Sequence, residues 1–155
     1  MKRELTLTDI AGYLDHPLLG QHPTGAICWI DVEFIAQHGI SLAGYKPVLR
    51  LISDLYVEIT ERGYNDGKPF VPLVELAMVR YPHLASRRFI TDAKYVECAE
   101  SDLSGWAKIY ELELEDMSVD ELDLLHRLHL DYRGLIDAGL AVSVHDVKQN
   151  PYECK

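Results

Sequence analysis

The run from Asp116 to Val147 restricts the fold most, because it carries a helix start, a helix stop and a strand in immediate succession. Ser118 and Glu121 stand three apart, the spacing at which each side chain satisfies a free backbone N–H of the other at a helix start. Asp120 and Glu121 then fall in the first turn, where the positive end of the helix dipole favours carboxylates. Val119, Leu122 and Leu125 recur on one face, and Leu124 and Leu128 widen it. Asp120, Asp123 and Arg127 are left as a narrow polar stripe, so the pattern predicts a core helix. Gly134 is expected to bend or break it, and Gly139 suits the left-handed residue after its last turn. From Leu140 to Val147, Leu140, Val142 and Val144 alternate with Ala141, Ser143 and His145, the two-residue period of a half-buried strand.

The rest of the chain supplies shorter pieces. Thr8 reads as the cap of a short helix that Pro17 ends. Ala26–Ile35 is apolar enough for a strand whose second half could turn helical, and Lys46–Leu55 reads as an extended piece leading to a turn. Tyr56–Thr60 alternates as a strand, Asn65-Asp66-Gly67 marks a turn, and Phe70 and Val71 return. Pro72 suits the first position of a helix over Leu73–Val79 that Pro82 ends, with Glu75 on its exposed side. Phe89–Cys98 and Ala107–Glu115 read as antiparallel strands around a Ser101–Gly105 turn. On the second, Tyr110, Leu112 and Leu114 share one face while Glu111, Glu113 and Glu115 line the other.

Strands and helices mixed without strict alternation point to the α+β class. At 155 residues, with 48% hydrophobic and 26% charged residues, the chain fits one compact domain over 1–155. The expected architecture is a small, mostly antiparallel sheet packed by short helices, with a C-terminal helix–strand unit. Cys28, Cys98 and Cys154 are odd in number and form no C-x-x-C pair, which suits reduced thiols, with Cys28 as core filling. No run of about 18 apolar residues suggests a membrane span, and no N-terminal pattern suggests export, so a cytoplasmic location is expected.

Charge narrows the function classes. The net charge of −10 should repel phosphate backbones, which makes direct nucleic-acid binding an unfavoured activity. Between Glu97 and Asp123 there are ten acidic residues against one base, Lys108. On one reading this run is a solvated face that discourages edge-to-edge aggregation. On the functional reading, Glu111, Glu113, Glu115 and Asp116 dock a basic protein partner, including a nucleic-acid-binding protein whose usual ligand they imitate in charge, or the acidic ladder holds a hard divalent ion. The sequence contains no G-x-S-x-G, Walker loop, G-x-G-x-x-G or H-E-x-x-H, so no catalytic residue and no cofactor are assigned. His126 and His129 lie three apart on the expected helix. With Asp131 and His145 they form a candidate metal or small-molecule site if the strand folds back across the helix end. The alternative is two partly buried imidazoles hydrogen-bonded to backbone.

Three segments carry a resemblance: Lys46–Leu55 (KPVLRLISDL), Lys68–Ala77 (KPFVPLVELA) and His129–Ala141 (HLDYRGLIDAGLA). Together with Glu4–Leu14 at the N-terminus, the chain resembles a family of small uncharacterised proteins encoded by phages and prophages of Bacteroides-type gut bacteria. That resemblance carries no catalytic residues. It implies a setting, the cytoplasm of a bacterial host or a virus particle, and no mechanism; the leading reading is a non-enzymatic interaction protein acting on a host factor, with a minor virion component as an alternative.

Overall fold

The computed structural model describes residues 3–80, 87–92, 95–99, 107–111 and 113–153, with the strands between 87 and 111 described by their backbone. In chain order the helices and strands are α1 (Leu7–Ile10), β1 (Leu18–Gln21), β2 (Ile27–Ile30), α2 (Val32–His38), β3 (Lys46–Leu49) and α3 (Pro72–Arg80). They are followed by β4 (Arg87–Asp92), β5 (Tyr95–Ala99), β6 (Ala107–Glu111), α4 (Val119–Arg127) and β7 (Val142–Ser143). The class is α+β, as the sequence implies. The chain falls into two compact units, Met1–Ile52 with Leu125–Pro151, and Ser53–Leu124 with Tyr152–Lys155. Among the described residues no helix is long and apolar enough to cross a membrane.

The first unit is built on a four-stranded sheet in the order β2-β1-β3-β7. β1 pairs antiparallel with β2 (Leu18 opposite Ile30) and with β3 (Gly20 opposite Pro47), whereas β3 and β7 run parallel (Val48 opposite Val142). Its core joins Ile10, Tyr13, Leu18, Ile30, Leu42, Leu49, Leu135 and Ala141. Burying an aliphatic side chain of this kind contributes about 1.5–3 kcal/mol. On the edge strand β2 the alternation is plain: Ile30 is buried while Ile27 and Trp29 face solvent.

Several local boundaries differ from those the sequence suggests, each for a physical reason. The first helix is capped by Thr6, not Thr8, because Asp9 reaches back to the Thr6 backbone N–H at 2.9 Å. Within Ala26–Ile35 the strand stops at Ile30 and the second half turns helical, the option the sequence left open, since the Asp31 carboxylate accepts the Phe34 N–H at 2.7 Å and starts α2. α4 ends at Arg127, before Gly134. The strand expected over Leu140–Val147 shrinks to Val142–Ser143, because a 3-10 turn over Val144–Asp146 takes its second half. Gly139 takes the left-handed backbone expected of it; Gly134, expected to bend or break the helix, is left-handed too but lies in the loop after α4 has already ended.

The second unit places α3 alongside β4 and β5 of a three-stranded antiparallel sheet, β4-β5-β6. Pro72 opens α3 as expected, and Leu73, Leu76 and Ala77 are buried. The expected hairpin around Asn65–Gly67 reduces to one antiparallel bridge between Ile59 and Phe70. Glu75 is half-buried and accepts the Tyr64 hydroxyl at 2.9 Å. Pro82 and the Ser101–Gly105 turn lie outside the described residues, as does Cys154; for Cys98 only the backbone is described.

Candidate functional site

Two groups of residues compete for a functional role. The first is the C-terminal histidines, all in the first unit. Because α4 ends at Arg127 and His129 takes a left-handed backbone (φ 59°), helical spacing no longer relates the rings of His126 and His129. His126 is buried, lies edge-on to the Tyr13 ring with centroids 4.9 Å apart, and its Nε2 shares a 2.7 Å hydrogen bond with the Tyr132 hydroxyl. Gly12 makes room for it, since a Cβ there would sit 2.1 Å from the imidazole Cε1. His129 is buried too, and its Nε2 donates to the Pro17 carbonyl at 2.6 Å.

Asp131 is buried with its carboxylate accepting the backbone N–H groups of Leu135 (2.9 Å) and Ile136 (2.8 Å). His145 is exposed on the turn after β7, where its backbone N–H donates to Ser143 Oγ at 3.1 Å. Nearby, the Tyr13 hydroxyl donates to the Leu130 carbonyl. Burial pushes the Tyr13 phenol far above its ordinary pKa, with Tyr132 and Asp131 adding to the effect. The three side chains thus have separate structural tasks: His126 joins α4 to Tyr132, His129 ties the loop after α4 to Pro17, and Asp131 closes a turn within that loop. Among the described residues no group of three or more His, Cys, Asp or Glu side chains is placed to hold a metal ion.

The second group is the acidic segment, in the second unit. β6 ends at Glu111, and a 3-10 turn over Leu114–Asp116 follows, with the Asp116 N–H donating to the Glu113 carbonyl at 3.1 Å. The strand alternation expected through Glu115 is therefore cut short. Leu114, expected on the core face, is 49% exposed. Glu113, Glu115 and Asp116 are exposed; Leu112 and the side chain of Glu111 lie outside the described residues.

The capping box expected at Ser118 is present. The Glu121 N–H donates to Ser118 Oγ (3.2 Å), and the Ser118 N–H and hydroxyl donate to Glu121 Oε1 (3.3 and 3.1 Å). Glu121 is only 1% exposed, which a charged residue tolerates when it is paired. Arg80 at the end of α3 supplies the pair: its guanidinium meets Glu121 Oε1 at 3.0 Å and the Asp116 carbonyl at 2.9 Å. One arginine therefore holds both the 3-10 turn and the helix start. Val119, expected in the core, is 74% exposed, as the first residue of α4 beyond this clamp. Asp120 and Asp123 are exposed on the same helix.

The carboxylates are legible in the sequence, Arg80 is not, and Leu114 and Val119 fall on the core face by pattern but on the surface in the structure. Arg80 lies 41 positions from Glu121, and local periodicity carries no signal for such a pairing. The outward turn of Leu114 and Val119 follows from the end of β6 and from the clamp, neither of which alters the hydrophobic pattern. No protein-family model, no curated protein and no solved structure matches this chain.

Proposed function

We propose that this chain is a non-enzymatic protein-interaction module that docks a basic partner surface through the segment from Glu113 to Asp123. The exposure of Leu114 and Val119 among the carboxylates carries the reading. Exposed apolar side chains are ordinary when they occur singly. Here two of them stand among Glu113, Glu115, Asp116, Asp120 and Asp123 on a backbone clamped by Arg80. Apolar contact area supplies affinity at the centre of an interface, while surrounding charge steers encounter and fixes orientation. A clamped segment also loses little conformational freedom on binding. Mutual repulsion of the carboxylates is relieved when a basic surface covers them.

The resemblance to phage- and prophage-encoded proteins suggests a host factor as partner, encountered in the bacterial cytoplasm. A nucleic-acid-binding host protein has the basic surface that this segment complements in charge.

The test is affinity capture from a bacterial host lysate with the parent chain, a Glu113→Lys/Glu115→Lys/Asp116→Lys variant and a Val119→Arg variant. The expected result is one host protein retained by the parent, released by salt, and lost from both variants while their circular dichroism spectra match the parent's. A protein retained equally by all three chains, or the absence of any specifically retained protein, overturns the proposal.

A further inference from the structure

In the first unit a groove of about 510 Å³ opens between the N-terminal segment at Arg3–Leu5, the connection from Ile40 to Lys46 and the Gly139–Leu140 turn. Its volume lies within the roughly 300–1,000 Å³ typical of small-molecule sites. The lining is predominantly apolar, with Leu5, Ile40, Tyr45 and Leu140 as its large side chains. Arg3 and Lys46 add two cations against one carboxylate, Glu4, in a chain whose net charge is −10. The local charge is thus opposite in sign to that of the whole molecule.

The walls are held by their surroundings. The Tyr45 ring packs beside His22 (centroids 5.1 Å apart) and edge-on to Phe34 (5.9 Å), and its backbone N–H donates to the Leu42 carbonyl at 2.9 Å. Lys46 begins β3 and pairs with Gln21 of β1, so the sheet fixes its backbone. Leu42 and Ala43 hold left-handed backbones (φ 54° and 51°) that non-glycine residues rarely adopt, and full burial of Leu42 keeps the connection in this shape. Arg3 pairs with Asp9, but Asp9 also meets Arg133 at 3.4 Å, so two guanidiniums share one carboxylate. The Lys46 ammonium has no ion-pair partner among the described residues.

We infer that the groove binds a free, small apolar carboxylate, with its body against Tyr45, Ile40, Leu5 and Leu140 and its anionic head at Lys46. A preformed apolar cleft with one or two convergent polar groups is the usual build of such a site, and the cation selects for a charged end. This site is separate from the proposed docking segment and does not depend on it.

The probe is 1-anilinonaphthalene-8-sulfonate, an apolar aromatic anion whose fluorescence rises when water is excluded, with octanoate as competitor. The expected result is saturable one-site binding by the intact chain, weakened by salt and displaced by octanoate. Lys46→Glu should weaken both ligands at least tenfold, and Ile40→Trp, which fills the groove from a half-exposed position, should remove binding. Both variants should keep the parent's circular dichroism and thermal midpoint. Absence of saturable binding overturns the inference, as does equal binding by the parent and both variants, which would seat the probe on an exposed apolar surface such as Trp29. Co-flotation with phosphatidylglycerol vesicles, without displacement of the probe by octanoate, overturns it in favour of a lipid surface.

Discussion

The two helix starts at Thr6 and Ser118 use the same local device and put it to different ends. In each, a hydroxyl residue is followed three positions later by a carboxylate that reaches back to it, Asp9 in one case and Glu121 in the other. Both carboxylates are almost fully buried, at 2% and 1% exposure, and both meet arginine. They differ in what the arginines do. Asp9 gathers Arg3 and Arg133 and so ties two chain segments of the first unit together, whereas Arg80 continues past Glu121 to the Asp116 carbonyl. The Thr6 box closes a core edge, and the Ser118 box holds a surface segment in place. A buried carboxylate in a capping box is thus an anchoring point, and its arginine decides what is anchored.

The largest effect is expected at Glu121. Glu121→Ala removes the carboxylate that a mostly buried guanidinium pairs with and leaves the Ser118 N–H unsatisfied. Breaking such a pair from one side costs about 2–4 kcal/mol, at or below the range for fully buried pairs because Arg80 keeps some access to water. Urea denaturation should show the lower midpoint. Capture of the proposed partner should fall in the same variant, because Arg80 loses the carboxylate that holds it in line with the Asp116 carbonyl. If stability falls while capture is unchanged, Arg80 does not organise the docking segment and the contrast between the boxes is lost.

Asp9 should show a smaller loss with a distinct pH signature. Burial alone would raise its carboxyl, but the Thr6 N–H and hydroxyl together with Arg3 and Arg133 outweigh that and hold it below the ordinary carboxylate value. A depressed folded-state pKa stabilises the fold fully above the unfolded value of about 3.9, and the contribution is lost as pH falls through the folded pKa. Asp9→Asn should therefore cost about 1–2 kcal/mol at neutral pH, since both arginines keep contact with water. It should also flatten the acid limb of the stability curve below pH ~4. Urea midpoints measured from pH 7 downward check this, and an acid limb as steep as the parent's would assign the depressed carboxyl no role in stability.

How far these features were legible in the sequence follows from their range. The Ser118 box, the α3 start at Pro72 and the left-handed Gly139 are local signals and appear where the sequence puts them. Thr6 is less legible than Thr8 because an aspartate at the third helical position is a weaker sign of a capping box than glutamate. His126 and His129 read as one helix face only while the helix is assumed to continue, and the left-handed His129 backbone leaves no trace in periodicity. The burial of Glu121 depends on an arginine 41 positions away. The apolar pattern of α4 matches burial at Leu124 and Leu125 and fails at Val119, where the helix start turns outward. In the groove, Tyr45, Lys46 and Leu140 come from separate segments, and only the fold brings them together.

The smallest effect separates the hydroxyls themselves. Ser118→Ala removes the acceptor of the Glu121 N–H and one donor to the Glu121 carboxylate, which keeps Arg80 and a longer bond from the Ser118 N–H at 3.3 Å. Thr6→Ala takes one donor from an Asp9 carboxylate that retains the Thr6 N–H at 2.9 Å and two arginines. The helices behind the caps differ as well, nine residues in α4 against four in α1, so more structure frays when the first is loosened. Removal of a cap costs about 0.5–2 kcal/mol, and Ser118→Ala should fall in the upper half of that range with Thr6→Ala near its lower end. Paired urea titrations at neutral pH resolve the difference. Equal losses would mean that the hydroxyl contributes alike in both boxes and that only the arginines distinguish them; a larger loss at Thr6 would make the Thr6 box the stronger local anchor.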